Sequence, residues 1–119
     1  MAVIAIGTNS TRLMVADVDG NSVTELARHS EVTRLGRGVD YTQLLSDEAI
    51  EVVCQTVAGY VETIQDLETE STLVIATSAA RDASNGSAFV AELRERFELD
   101  CRVLDGDEEA LARLENLQE

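Results

Sequence analysis

Lysine is absent from this sequence. All nine basic side chains are arginine, and they stand against 23 acids, for a formal net charge of −14 over 119 residues. Such a surface repels nucleic acid and anionic membranes at long range, so neither DNA nor a lipid surface is an expected partner. Solubility accounts for the charge equally well. A phosphate site in this chain must work through a local arginine cluster, backbone N–H groups or a metal. Aromatic residues make up only 3% of the sequence, so the core has to be built from Val, Leu, Ile and Ala. There are two cysteines, Cys54 and Cys101, and their spacing matches no metal or redox motif. They read as buried thiols in a reducing compartment. No signal-peptide pattern or membrane-length apolar run is visible, which points to the cytoplasm. Internal repeats, low-complexity tracts and linkers are also missing. What remains is one globular domain that is 45% hydrophobic.

The apolar pattern orders that domain. Ala2–Ile6 is a short continuous apolar run, like a buried central strand. Arg12–Val18 and Ser22–Ser30 read as two further strands joined by the turn residues Asp19-Gly20-Asn21. Glu31–Leu45 contains Gly36 and Gly38, has no periodicity, and reads as a loop. Ser46 is a candidate N-cap followed by acids in a first turn, and Ile50, Val53, Cys54, Val57, Tyr60, Val61, Ile64 and Leu67 recur on one helical face. Thr72–Thr77 is a fourth strand, and Ser78–Ser84 is a polar loop. A second helix is expected from Asn85–Gly86 to Phe97, and a fifth strand over Cys101–Leu104. Asp105-Gly106-Asp107 leads into a third helix reaching nearly to Glu119. The order β-β-β-α-β-α-β-α predicts an α/β fold: a three-stranded antiparallel meander followed by alternating helices and strands in one mixed sheet.

Ligands of open α/β sheets bind at the carboxyl ends of strands. Three polar stretches fall there: Gly7–Ser10, Ser78–Asn85 and Asp105–Glu109. Gly7 permits close backbone approach, and Thr8, Asn9 and Ser10 offer hydrogen-bond donors. Arg12 and Arg81 have the planar fork that clamps phosphate. Glu108 or Glu109, at a helix start, could orient or deprotonate a water for in-line attack on phosphorus. Each feature also has a plainer explanation. Gly7–Ser10 could be a hairpin turn, Arg81-Asp82 an exposed ion pair, Asn85 an N-cap, and the acids after Gly106 a complement to a helix dipole. Arg34 and Arg37 could be solvated loop charges.

At these residues the sequence resembles a known family. "IGTNSTRLMVADV", "TRLGRGVD", "ATSAARDASNGSAF" and "LDGDEEA" are similar to the successive N-terminal motifs of the Ppx/GppA exopolyphosphatase and guanosine pentaphosphate phosphohydrolase family, from Val3 to about Ala110. The resemblance implies an actin-like, ribonuclease H-like ATPase fold with two domains and a cleft between them. Residues 1–119 would form the N-terminal domain, with the second domain absent from this chain. It implies removal of terminal phosphate from polyphosphate or pppGpp, usually with Mg²⁺. Gly7, Thr8, Asn9, Ser10 and Arg12 would form the first phosphate loop. Arg81 and Asn85 would contact substrate phosphates. Glu109 would be the catalytic base, with Glu108 beside it, and Arg34 and Arg37 would lie near the cleft mouth.

Two departures bear on activity. Where family members read Ile-Asp-Ile-Gly, this chain reads Ile4-Ala5-Ile6-Gly7, and Ala5 cannot coordinate Mg²⁺. The Gly-rich second phosphate loop is also missing. The resemblance therefore implies an exopolyphosphatase-type hydrolase that is incomplete or inactive as this isolated chain, with Mg²⁺ weakened or absent. A non-catalytic phosphate- or nucleotide-binding module and a relative of the sugar or acetate kinases are the alternatives. A lone half should also leave a sheet face exposed, favouring self-association or docking with a second domain.

Overall fold

The computed structural model describes residues 1–19, 22–69, 71–76 and 78–103. They form one five-stranded sheet in the order β3-β2-β1-β4-β5, with β1 at Ala2–Ile6, β2 at Ser10–Asp19, β3 at Ser22–Val32, β4 at Thr72–Ala76 and β5 at Asp100–Val103. β1 sits at the centre, antiparallel to β2 and parallel to β4. β2 continues antiparallel to β3, with one register irregularity between Val15 and Ala16, and β4 continues parallel to β5. The expected meander and mixed sheet are both present.

The continuous apolar run of β1 follows from its place. Ala2, Ile4 and Ile6 join one cluster with the helices, while Val3, on the alternate face, is only 2% exposed. Helix α1 (Val39–Thr42) is a single turn and α2 (Asp47–Asp66) is the long one. The Ser46 hydroxyl accepts a hydrogen bond from the Ala49 N–H at 3.1 Å, and Asp47 and Glu48 fill the first turn of α2. The apolar stripe of α2 buries Val53, Cys54, Val57, Tyr60 and Ile64 against Leu13, Val15 and Val74 of the sheet. Leu67 caps the helix and is 37% exposed. Helix α3 (Ser78–Asp82) and helix α4 (Gly86–Phe97) complete this layer, with Phe89, Val90 and Leu93 buried.

Three sequence-based expectations are corrected. Ser78–Ser84 is not a loop: its first five residues form α3, because Ala79, Ala80 and Ala83 bury their methyl groups in the core. Glu31–Leu45 is not wholly irregular, since α1 interrupts it. The bare apolar sheet face is not found at the central strands. Met14 and Ile75 are 3% and 1% exposed, and the Arg28 guanidinium donates to the Met14 sulfur at 3.5 Å. The helix expected from Asp105 lies outside the described residues, as does Leu104.

Candidate functional site

The chain leaves β1 toward β2 and β3 on one side of the sheet, and β4 and β5 lie on the other. The carboxyl ends of β1 and β4 are paired at Ile6 and Ala76. In open α/β sheets, ligands bind outside the carboxyl ends of strands at such a point.

The turn Gly7–Ser10 follows directly on the carboxyl end of β1. The Gly7 N–H donates to the Ser10 carbonyl at 2.9 Å, so Thr8 and Asn9 form a two-residue hairpin loop. Neither has positive φ, although the usual two-residue hairpin turns require it. The turn is held instead through its carbonyls. Thr8 O accepts from the Gly36 N–H at 2.9 Å, and Asn9 O accepts from the Thr33 and Arg34 N–H groups at 3.0 and 2.9 Å. Among the described residues, the Asn9 N–H and its side-chain amide have no protein partner. The acceptors of the turn are tied down, while Asn9 keeps donors for a ligand.

The segment that ties them down carries two arginines. Arg34 is in the left-handed region at φ 53, uncommon for a residue with a side chain. Gly36 lies so close to Thr8 that a Cβ there would collide with Thr8 Cγ2. A cavity of about 640 Å³ is lined by Thr8, Asn9, Val32, Arg34, Gly36 and Arg37. Both guanidiniums are exposed, and among the described residues neither is ion-paired and no carboxylate lines the cavity. On a chain of charge −14, this is a local electropositive concavity.

The other proposed site residues are placed as follows. Ser10 opens β2 and Gly7 closes the turn; both are half-buried, and neither lines the cavity. Arg12 is exposed and pairs in register with Ala5, so the two share the sheet face away from α2. The structure therefore separates Arg12 from the cavity lining. Arg81 belongs to α3, just beyond β4, and its side chain lies outside the described part. Glu108 and Glu109 lie outside the described residues. Asn85 occupies the N-cap position of α4 without capping it. Its Oδ1 accepts from the Leu45 N–H at 2.8 Å, and its Nδ2 donates to the Leu45 carbonyl at 3.0 Å. One Nδ2 hydrogen is left for any other acceptor.

Sequence reasoning missed Thr33 and Gly36, whose N–H groups set the turn. The only local signal was a glycine between two arginines. It also missed a buried support: Thr11 Oγ1 and Thr33 Oγ1 share a hydrogen bond of 2.9 Å, and Tyr60 OH donates to Thr11 O at 2.9 Å. Burial, with a smaller contribution from Glu31, pushes Tyr60 up to about 12, so it stays a neutral donor. His29 stacks on Tyr60 with ring centroids 6.2 Å apart. Cys54 and Cys101 are free and buried. Burial first, then Glu92, raises the Cys54 pKa, and burial carries Cys101 to about 11. Neither thiol is poised for nucleophilic work.

Residues 14–115 match the Ppx/GppA phosphatase family. The chain is 33% identical over 116 residues to the bifunctional 3-dehydroquinate synthase/phosphatase of Fusobacterium nucleatum, covering 92% of this chain and 18% of that protein. Among solved structures, the Aquifex aeolicus Ppx/GppA family member superposes with a TM-score of 0.85 at 28% identity, over 91% of this chain and 35% of that one. An exopolyphosphatase-like protein gives 0.84 at 36% identity, over 92% and 33%. These likenesses identify the mixed sheet and its helices as the actin-like fold of those structures. The chain spans about a third of those structures and less of the curated relative.

Proposed function

The chain belongs to the Ppx/GppA phosphatase family, and on that premise we propose that it supplies the N-terminal half of a phosphate-binding cleft. In a complete protein, that cleft releases terminal phosphate from polyphosphate or guanosine pentaphosphate by water attack. One observation carries the reading: the Thr8–Asn9 turn has its carbonyls bound to the 33–36 backbone, beside a cavity lined by Arg34 and Arg37. Donors and positive charge together suit a phosphate chain end.

The roles follow from residue chemistry. The Asn9 N–H and amide, with the Thr8 hydroxyl, receive phosphate oxygens. Arg34 and Arg37 neutralise their charge. Arg81, from the α3 side, supplies a further cation, and Glu109 takes the proton from the attacking water. Gly7, Ser10 and Arg12 set the turn and its flank. The described residues do not by themselves make a magnesium site. Among the described residues, the cavity lining has two guanidiniums and no carboxylate, Ala5 presents a methyl group, and no three acids, cysteines or histidines cluster. No step is therefore assigned to a metal. No described helix is long and apolar enough to cross a membrane. The two free buried thiols suit a reducing compartment, and we place the protein in the cytoplasm.

Thermal unfolding with rising inorganic tripolyphosphate tests this, with and without Mg²⁺. A ligand confined to the folded state at ~100 times its Kd adds about 2.7 kcal/mol. A saturable stabilisation that Arg34→Ala/Arg37→Ala removes is the expected result, and no shift at any concentration overturns the reading. Ala5, where the family carries an acid, favours a second reading, a non-catalytic phosphate-binding module. Saturable binding by the complete protein without phosphate release selects it.

A further inference from the structure

The segment that carries Arg34 and Arg37 is fastened at both ends. At one end, the Thr33, Arg34 and Gly36 N–H groups donate to the Thr8–Asn9 turn. At the other, the Ser84 N–H donates to Gln43 O at 2.7 Å, and the Asn85 amide closes both bonds to the Leu45 backbone. Between these ends the backbone is in a costly conformation. Arg34 and Gln43 are both left-handed, at φ 53 and φ 57, without being glycine. Such a conformation persists only where surrounding contacts over-determine it. Leu35 and Leu45 are buried and anchor the segment to the core, but hydrophobic contact is non-directional and does not set the backbone path. The paired amide bonds do.

The clamp is also an unusual use of Asn85. At an N-cap, the side chain of asparagine ordinarily accepts from its own helix. Here it makes no cap bond and reaches a backbone 40 residues earlier.

We propose that Asn85 is a positioning residue for the anion cavity: through Leu45 it holds the 34–45 segment so that Arg34 and Arg37 line the cavity with the Thr8–Asn9 turn. This rests on the phosphate reading above and assigns Asn85 a role other than direct phosphate contact.

Two measurements on the 119-residue chain test it. The first is hydrogen exchange without ligand. Asn85→Ala should accelerate exchange across residues 34–45 while the amides of β1, β2 and β4 keep wild-type rates. The second is a double-mutant cycle for inorganic tripolyphosphate binding by calorimetry. Losing the clamp should raise Kd about tenfold in the wild-type background, the order expected for one or two hydrogen bonds. It should raise Kd no further in an Arg34→Ala/Arg37→Ala background that still binds measurably at low ionic strength. Asn85→Asp keeps the acceptor for the Leu45 N–H but sets a second oxygen against the Leu45 carbonyl. It should behave similarly, and it serves if the alanine variant does not fold. Unchanged exchange over 34–45, or losses that multiply in the cycle, overturn the positioning role alone. A wild-type chain that binds no tripolyphosphate overturns the phosphate reading and this inference with it.

Discussion

Ala5 and Arg12 pair directly across the β1–β2 ladder, and Arg12 has no ion-pair partner among the described residues. An acid at position 5 would stand opposite that guanidinium. Opposite charges across a sheet contribute roughly 0.2–1 kcal/mol, so Ala5→Asp should fold with nearly wild-type stability. Its added charge should weaken tripolyphosphate binding without Mg²⁺, and Mg²⁺ should restore it. Calorimetry in the two buffers reads this directly. Equal binding with and without Mg²⁺ in the variant would remove position 5 from any metal role.

Gly36 and Thr8 are packed too closely for another methyl group. Gly36→Ala should destabilise the fold by about 1–3 kcal/mol, the usual cost of overpacking. It should also weaken anion binding, because the Gly36 N–H organises the turn. Thr8→Ser deletes the colliding Cγ2 while keeping the hydroxyl. Adding it to Gly36→Ala should recover most of the loss in urea unfolding. If the double variant is no more stable than Gly36→Ala alone, the collision is not the cause.

Thr11 and Thr33 are both buried and share one hydrogen bond. Thr11→Val leaves the Thr33 hydroxyl buried without that partner, and should cost about 1–3 kcal/mol. Thr11→Val/Thr33→Val removes both polar atoms and should cost less than the single change. Chemical denaturation of the three proteins checks the order.

Stability should fall on the alkaline side. Burial carries Cys101 from 9.0 to about 11, and burial with Glu31 carries Tyr60 from 10.0 to about 12. Between those values the unfolded chain has lost protons that the folded chain keeps. The folded state therefore binds more protons, and unfolding free energy drops as pH rises. Both contributions are intact below pH 9.0; that of Cys101 is lost on the way to about 11, and that of Tyr60 from 10.0 to about 12. Cys101→Ala should be less stable throughout and decline less steeply at the start, where the raised Cys54 thiol still contributes. A urea midpoint constant from pH 8 to ~12 would contradict both assignments.

Periodicity made much of this fold legible. The stripe from Ile50 to Ile64 specifies one buried face, and Ser46-Asp47-Glu48 marks where α2 begins, because capping and charge act within a single turn. The apolar run of β1 announces a strand covered on both faces. Residues 78–84 were not legible in the same way. Their polar side chains read as loop chemistry, and only contact with the core gives the alanines of α3 a reason to be helical.

The site divides along the same line. Local sequence sufficed to mark Thr8 and Asn9 as a polar break at a strand end, and four ordered motifs sufficed to indicate the family. The tertiary fold decided which partners those residues meet. It turned Arg12 onto the sheet face of Ala5, because side chains alternate along a strand. It brought Arg34 and Arg37 to the Thr8–Asn9 cavity, because the Thr33, Arg34 and Gly36 N–H groups found their acceptors there. It also committed Asn85 to Leu45, across 40 residues of chain. Propensity and pattern act over a few residues. Buried backbone groups must find partners wherever the fold supplies them, and no short stretch of sequence records where that is.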